Sequence, residues 1–209
     1  ELKGDEVIVH WGIDEVHTLR SVGIKAPSPI SRRYKWTGQY TPFDHQKKTA
    51  AFLTLNKRAF CFNEQGTGKT ASAIWAADYL ISQGKVNRVL VICPLSIMDS
   101  AWRNDMFSFA MHRRVDVAYG SKSKRKAVIE GDAEFVVINY AGVELVEDAI
   151  ASGGFDLIIV DEATHYKNAQ TKRWKALNRL LQTDTWLWLM TGTPAAQSPT
   201  DAFGLAKLV

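Results

Sequence analysis

From Arg88 onward the chain alternates short apolar runs with segments of helical length, and no other feature of the sequence restricts the fold as much. The runs are Val89 to Cys93, Val115 to Ala118, Phe135 to Ile138, Leu157 to Val160 and Trp186 to Met190. Between them lie Asp99 to Ala110, Lys122 to Ile129, Val143 to Ala151 and Lys172 to Leu181, each long enough for a helix. A strand whose successive residues are nearly all apolar buries both of its faces. Strands of that kind alternating with helices therefore predict an α/β domain, a mostly parallel sheet covered by helices on both sides. Ligands of such three-layer sheets sit beyond the carboxyl ends of the strands, so the residues that follow each run carry the functional reading.

An earlier apolar run, Ala59 to Phe62, leads into Asn-Glu-Gln-Gly-Thr-Gly-Lys-Thr, residues 63 to 70, and then into Ala71 to Ile81 with apolar residues at helical spacing. Strand, glycine loop and helix form the context of a phosphate-binding loop. Gly66 and Gly68 permit backbone conformations that let the amides of Gln65, Gly66, Thr67 and Gly68 turn toward an anion, with the helix dipole behind them. Lys69 is expected to reach the β and γ phosphates of ATP, and the Thr70 hydroxyl to ligate Mg2+. The full pattern G-x-x-x-x-G-K-[ST] has glycine where this chain has Asn63. Asp161 and Glu162 follow the fourth of the later runs directly. Asp161 can hold the magnesium ion, commonly through water, and Glu162 can take a proton from the attacking water. After the last run, Thr191-Gly192-Thr193-Pro194 places hydroxyls where they can sense the γ phosphate.

Composition excludes several alternatives. The 209 residues suffice for a full core, and 46% hydrophobic with 23% charged residues is the balance of a globular protein. The net charge of +4 permits a polyanionic partner without requiring one. Cys61 and Cys93 lie in apolar runs without ligand spacing, so they are expected as core residues of a reducing compartment. No stretch approaches the ~20 apolar residues of a membrane span. No signal peptide opens the sequence, so a soluble intracellular protein, cytoplasmic or nuclear, is expected without membrane contact. The absence of an initiator methionine at Glu1 reads as a fragment or a renumbered chain.

Residues 1–40 are expected to form a small N-terminal extension, and 41–209 the main domain. In the extension Val-Ile-Val-His-Trp has strand character, and Asp14 to Val22 reads as a helix capped by Asp14 with Val16, Leu19 and Val22 as its stripe. Ala26-Pro27-Ser28-Pro29 reads as a linker. In Ser31 to Trp36 basic and aromatic residues interleave. Such a run can stack bases, but is more often a solvated face whose aromatics pack on the neighbouring domain. The main domain opens with Thr41 as N-cap, Pro42 at the first helical position and Asp44 in the first turn, with Ala50, Ala51, Phe52 and Leu55 on the buried side. Gln46 in that helix offers one donor and one acceptor to an adenine. Lys122 to Lys126, with Arg113 and Arg114 nearby, can meet phosphates, although a solvated face with Ala127, Val128 and Ile129 behind it fits the pattern better.

Taken in order, His45-Gln46, residues 63–70, Val89 to Trp102, Val136 to Tyr140, Asp161 to Asn168 and Met190 to Pro194 resemble the ordered motifs of helicase superfamily two. They are most similar to its Swi/Snf branch of double-stranded DNA translocases, through Pro94-Leu95-Ser96…Trp102 and the trailing Lys167-Asn168. The resemblance implies a RecA-like P-loop NTPase lobe, with Gln46 reading adenine, Lys69, Asp161 and Glu162 serving hydrolysis, and Thr70 and Asp161 holding Mg2+. It makes Thr191, Gly192 and Thr193 the coupling turn between ATP and DNA, and puts Ser96, Asn139 and Tyr140 at the nucleic-acid backbone. Thr164 stands where the family has histidine, with His165 one place later, and Ala195-Ala196-Gln197 replaces the family's Leu-Gln-Asn. The family clamps ATP between two lobes, the second supplying arginine fingers. That second RecA-like lobe is expected outside this chain. A missing finger removes ~10³ to 10⁵ of rate, so residues 1–209 alone, a monomer by expectation, should turn over ATP very slowly. The alternatives are the motor lobe of a restriction enzyme, an RNA helicase, or an ATP-gated nucleic-acid-binding module that does not hydrolyse.

Overall fold

A computed structural model describes residues 2–3, 6–193 and 201–209. Pro194 and the segment Ala195-Ala196-Gln197 lie outside the described residues. In chain order the N-terminal elements are β1 (Leu2–Lys3), β2 (Glu6–Val7), α1 (Ile13–Ser21), α2 (Ile30–Arg33) and α3 (Asp44–Thr54). Then come β3 (Arg58–Cys61), α4 (Lys69–Ser82), β4 (Val89–Cys93), a π-helical turn (Met98–Arg103) continuing into α5 (Asn104–Phe109), β5 (Val115–Ala118) and α6 (Lys122–Ile129). The chain closes with β6 (Phe135–Asn139), α7 (Tyr140–Leu145), α8 (Glu147–Ser152), β7 (Leu157–Val160), α9 (Lys172–Leu180), β8 (Trp186–Met190) and α10 (Asp201–Ala206).

Among the described residues β3 to β8 form one six-stranded sheet in the order β3-β8-β7-β4-β6-β5, with every pairing parallel. The expected α/β fold is present, and the continuous apolar runs have a simple cause. Val89, Val91, Phe135, Val137, Leu157 and Ile159 face a core shared with α3, α4 and α5. Their neighbours Leu90, Ile92, Val136, Ile138, Ile158 and Val160 face a second core beneath α6 to α9. Cys61 and Cys93 are buried and free. No helix among the described residues is long and apolar enough to cross a membrane.

Several local expectations change. The helix expected from Thr41 starts at Asp44 with Phe43 as its cap, and Phe52 is exposed while Leu53 takes its place in the core. Helix α1 starts at Ile13 after Gly12, so Asp14 lies in its first turn rather than at the cap, its carboxylate pairs with Lys85 at 2.5 Å, and Val22 is exposed. Of Val7 to Trp11, only Val7 is in a strand. The segment 26–29 is no free linker: Ala26 and Ser28 are buried, and the Ser28 hydroxyl bonds Thr54 at 2.7 Å. The single helix expected over Val143 to Ala151 breaks at Val146 into α7 and α8.

The aromatics of the extension pack inward. Tyr34 meets Trp36 and Tyr79 edge to face, and Trp36 meets Trp75 likewise. Beneath them Asp78 of α4 is 2% exposed and accepts from the Tyr34 hydroxyl at 2.5 Å, Arg113 Nε at 2.6 Å and His112 Nε2 at 2.9 Å. Burial first, then the Asp78 charge, pushes the Tyr34 phenol far above its usual range, so it stays a donor. Asp78→Ala would remove the acceptor that Tyr34, Arg113 and His112 share, leaving Tyr34 only Thr37 Oγ1 at 3.1 Å. We expect a loss of about 3 kcal/mol, the low end for breaking a buried pair, because Arg113 keeps Glu134. Equilibrium denaturation of the variant measures it; a loss within ~0.5 kcal/mol, typical of surface positions, would contradict the role.

Candidate functional site

The strand order sets the site. Strand β8 lies between β3 and β7, so the turn after β8 separates the loop after β3 from the acids after β7. Beyond β7 come β4 and β6, whose exits carry Ser96 and Asn139-Tyr140. The candidate residues of five strands thus line one edge of the sheet.

The glycine loop ends at Gly68, whose φ of 76° and ψ of 39° start α4 from the left-handed region. A side chain there would be strained by that backbone, and a Cβ would push aside the Gln46 amide. Gln46 is built into the loop's support: its Oε1 accepts from the Phe43 amide at 2.9 Å and its Nε2 donates to the Thr67 carbonyl at 3.3 Å. His45 Nε2 lies 3.0 Å from the same carbonyl. An amide has two lone pairs and two N–H bonds, so one of each remains for a ligand. Asn63, the departure from the glycine pattern, donates from Nδ2 to Thr49 Oγ1 at 2.8 Å and so ties the loop's entrance to α3. Lys69 is 9% exposed, and its Nζ donates to the carbonyls of Asn63 and Glu64, each at 2.9 Å. Thr70, half-buried in the first turn of α4, stands beside it.

Thr191 is fully buried. Its amide donates to Cys61 O at 3.1 Å and its Oγ1 accepts from the Thr193 amide at 3.1 Å. A Cβ on Gly192 would lie 3.2 Å from Gln65 Cγ, so this turn rests against the glycine loop.

Asp161 is 7% exposed and its amide donates to Ile92 O at 2.8 Å. Its Oδ2 accepts from Trp102 Nε1 at 3.0 Å and its Oδ1 from the Glu162 amide at 3.0 Å. Burial raises the carboxyl above the ordinary carboxylate range, while those two donors and the charge of Lys69 pull it down. Glu162 has φ 48° and ψ 54°, the only non-glycine residue with positive φ among the described residues. That backbone costs ~1–2 kcal/mol. Asp105 on α5 is a further acid of the region that sequence reasoning passed over; burial, helped by the Asp161 charge, pushes it up to about 6.

Other residues have different surroundings from those expected. Tyr140, expected at a nucleic-acid backbone, is 7% exposed and turned inward, its hydroxyl donating to Asp161 O at 2.6 Å. Asn139 is half-buried with its Oδ1 accepting from Arg125 Nη1 at 2.9 Å. Arg125 itself is not on a solvated face: it is 6% exposed and also donates to the carbonyls of Ala118 and Gly120. Arg113 is spent on Asp78 and Glu134, and Arg114 on Asp132. Lys122, Lys124 and Lys126 remain exposed, as does Ala127. Ser96 is exposed too. His165 packs its ring 4.6 Å from that of Tyr140.

The donors at the loop and the acid turn suit a hard cation. A hydroxyl at Thr70 and a buried carboxylate at Asp161 are oxygen ligands, and an ion of the magnesium class completes such a set with phosphate oxygens and water. No group of three or more His, Cys, Asp or Glu among the described residues forms an all-protein metal site.

Comparison with known proteins agrees with this layout. The core of the Sulfolobus solfataricus SWI2/SNF2 ATPase, solved with double-stranded DNA, superposes with a TM-score of 0.74 at 23% identity, covering 83% of this chain and 36% of that one. A putative protein, p41, of Acyrthosiphon pisum secondary endosymbiont phage 1 is 28% identical over 81% of this chain and 39% of its own length. The SWI/SNF-related matrix-associated actin-dependent regulator of chromatin subfamily A-like protein 1 of Drosophila melanogaster is 25% identical over 84% of this chain and 22% of its own. For the uncharacterized ATP-dependent helicase YqhH of Bacillus subtilis the figures are 26%, 81% and 29%. The chain therefore spans well under half of these relatives. The SNF2-related domain matches residues 45–209, all of the sheet and every candidate residue, and the chain belongs to that family.

Proposed function

We propose that residues 41–209 are the first RecA-like lobe of a motor that couples ATP hydrolysis to translocation on double-stranded DNA, and that residues 1–40 are an extension of that lobe. The observation that carries this reading is the lateral order at the sheet edge, which places the loop that leads to Lys69, the Thr191–Thr193 turn and Asp161-Glu162 at the exits of the neighbouring strands β3, β8 and β7. In this reading the loop amides from Gln65 to Gly68 and the Lys69 ammonium hold the phosphates, and the remaining valences of Gln46 meet the adenine. Thr70 and Asp161 hold Mg2+, which when bound neutralises charge on the β and γ phosphates. Glu162 orients the attacking water and takes its proton. Thr191 and Thr193, resting on the glycine loop, report the state of the γ phosphate to the rest of the lobe. Ser96 and the Asn139 end of β6 meet the DNA backbone, which positions the protein without reading sequence.

The relatives extend well beyond the matched region, which supports a second lobe closing over the nucleotide. Stimulation of the full-length ATPase by duplex DNA, single strands and RNA tests the reading. Duplex DNA should stimulate most, and residues 1–209 alone should turn over ~10³- to 10⁵-fold more slowly for want of an arginine finger. Stimulation by RNA in preference to duplex DNA would assign the lobe to an RNA helicase. Brisk duplex-stimulated turnover by residues 1–209 would remove the need for a second lobe.

A further inference from the structure

The Asp161-Glu162 turn is fastened from two segments that carry no residue of the nucleotide site. One is the stretch after β4, where Ser96 is exposed at the start and Trp102, fully buried at the end of the π-helical turn, donates its indole N–H to Asp161 Oδ2 at 3.0 Å. The other is the exit of β6, where Tyr140 donates its hydroxyl to Asp161 O at 2.6 Å, with Glu162 O at 3.4 Å. Side chain and main chain of the turn are thus held separately, by different elements. Between the two anchors sits Glu162 in its left-handed conformation, a state that persists only where the surroundings over-determine it.

A buried indole or phenol needs an acceptor, and a nearby carbonyl of its own segment would satisfy it. Here both reach across the sheet edge instead. Trp102 does so from a π turn, which carries an extra residue relative to an α turn and often marks a functional site. Tyr140 spans from β6 over β4 to the end of β7. Its ring is itself held, with Arg173 5.1 Å above it and Tyr166 edge-on at 5.7 Å.

We propose that Trp102 and Tyr140 are positioning residues that set the geometry of the Asp161-Glu162 turn and tie it to the two segments facing the nucleic acid. The proposal rests on the reading of Asp161 and Glu162 as hydrolytic groups. A shift of either segment on binding DNA would move an atom hydrogen-bonded to the turn, so polymer binding and hydrolysis would be linked within this lobe.

The test uses the full-length protein with Trp102→Phe and Tyr140→Phe, the second removing one oxygen atom and therefore guarding against a variant that fails to fold. Each should lower the DNA-stimulated kcat ~10- to 100-fold, as for a misplacement of about 1 Å, with KM for ATP within ~3-fold of wild type. A second readout is binding of a fluorescent ADP with magnesium and in EDTA. Trp102→Phe should lose most of the affinity gained from magnesium while affinity in EDTA is kept, and Tyr140→Phe should keep both. Unchanged kcat in Tyr140→Phe, or losses that match the unfolded fraction measured by thermal melting, would overturn the proposal. If the wild-type protein showed no DNA-stimulated hydrolysis, the motor reading would fall instead, and the magnesium-dependent binding of Trp102→Phe would still decide for or against the anchoring of Asp161.

Discussion

Glu162→Gln in the full-length protein should abolish most ATP turnover while leaving nucleotide affinity within a few-fold of wild type. Glutamine keeps the shape and the hydrogen-bonding reach of the side chain but cannot take a proton from water. General-base catalysis contributes ~10² to 10⁴ in rate, about 3–5 kcal/mol of barrier, and that is the loss expected in kcat. The backbone argues that the fold will tolerate the change, because the φ of 48° is imposed by neighbours and both residues meet it with an unbranched side chain. Steady-state ATPase kinetics beside nucleotide titration make the comparison. Turnover equal to that of an active wild type would remove Glu162 from the chemistry, and absence of turnover in both proteins would favour an ATP-gated binding module.

Lys69→Ala should act on binding. The ammonium is nearly buried at the loop and donates to two of its carbonyls, so its charge is held at the place where phosphates would enter. A hydrogen bond to a charged group contributes about 1.5–3 kcal/mol, which corresponds to a ~10- to 150-fold loss of ATP affinity from one such bond alone. Contacts to two phosphates would take the loss further, to the point where a fluorescent ATP analogue shows no saturation. Thermal melting without nucleotide controls for the loop itself, which loses two internal bonds in the variant. Undiminished affinity would mean that the nucleotide sits elsewhere.

Much of this layout is legible in the residues before any coordinates. Continuous apolar runs such as Leu157 to Val160, alternating with segments of helical length, read as strands buried on two faces, and Asp161-Glu162 then falls at a strand exit. Less accessible is anything that depends on which strands are neighbours. Placing β8 between β3 and β7 brings Gly192 against Gln65, and no periodicity in the sequence encodes that order. Side-chain direction is equally hidden at strand ends, where the alternation of faces stops. The resemblance sets Tyr140 at the nucleic-acid backbone, and nothing in the sequence shows that its hydroxyl turns back to Asp161 O. Arg125 misleads for a related reason: among Lys122, Lys124 and Lys126 it reads as one more solvated cation, yet helical spacing puts it with Ile129 on the buried face of α6. Trp102 stood in the motif without a role, because an indole's acceptor is visible only once the chain has folded.

The edge position of β3 bears on how the protein is made. Among the described residues β3 pairs only with β8, Arg58 opposite Leu187 and Cys61 opposite Met190. The strand that supports the glycine loop is thus made before β4 to β7 and must wait for its partner until β8 has left the ribosome. Parallel pairing at that separation carries a high loop-closure cost and is slow. A nascent chain ending short of Trp186 would present Arg58–Cys61 as a sheet edge with nothing beside it, open to pairing with another molecule. Capacity to grip a nucleotide would then arrive at once, on completion of β8.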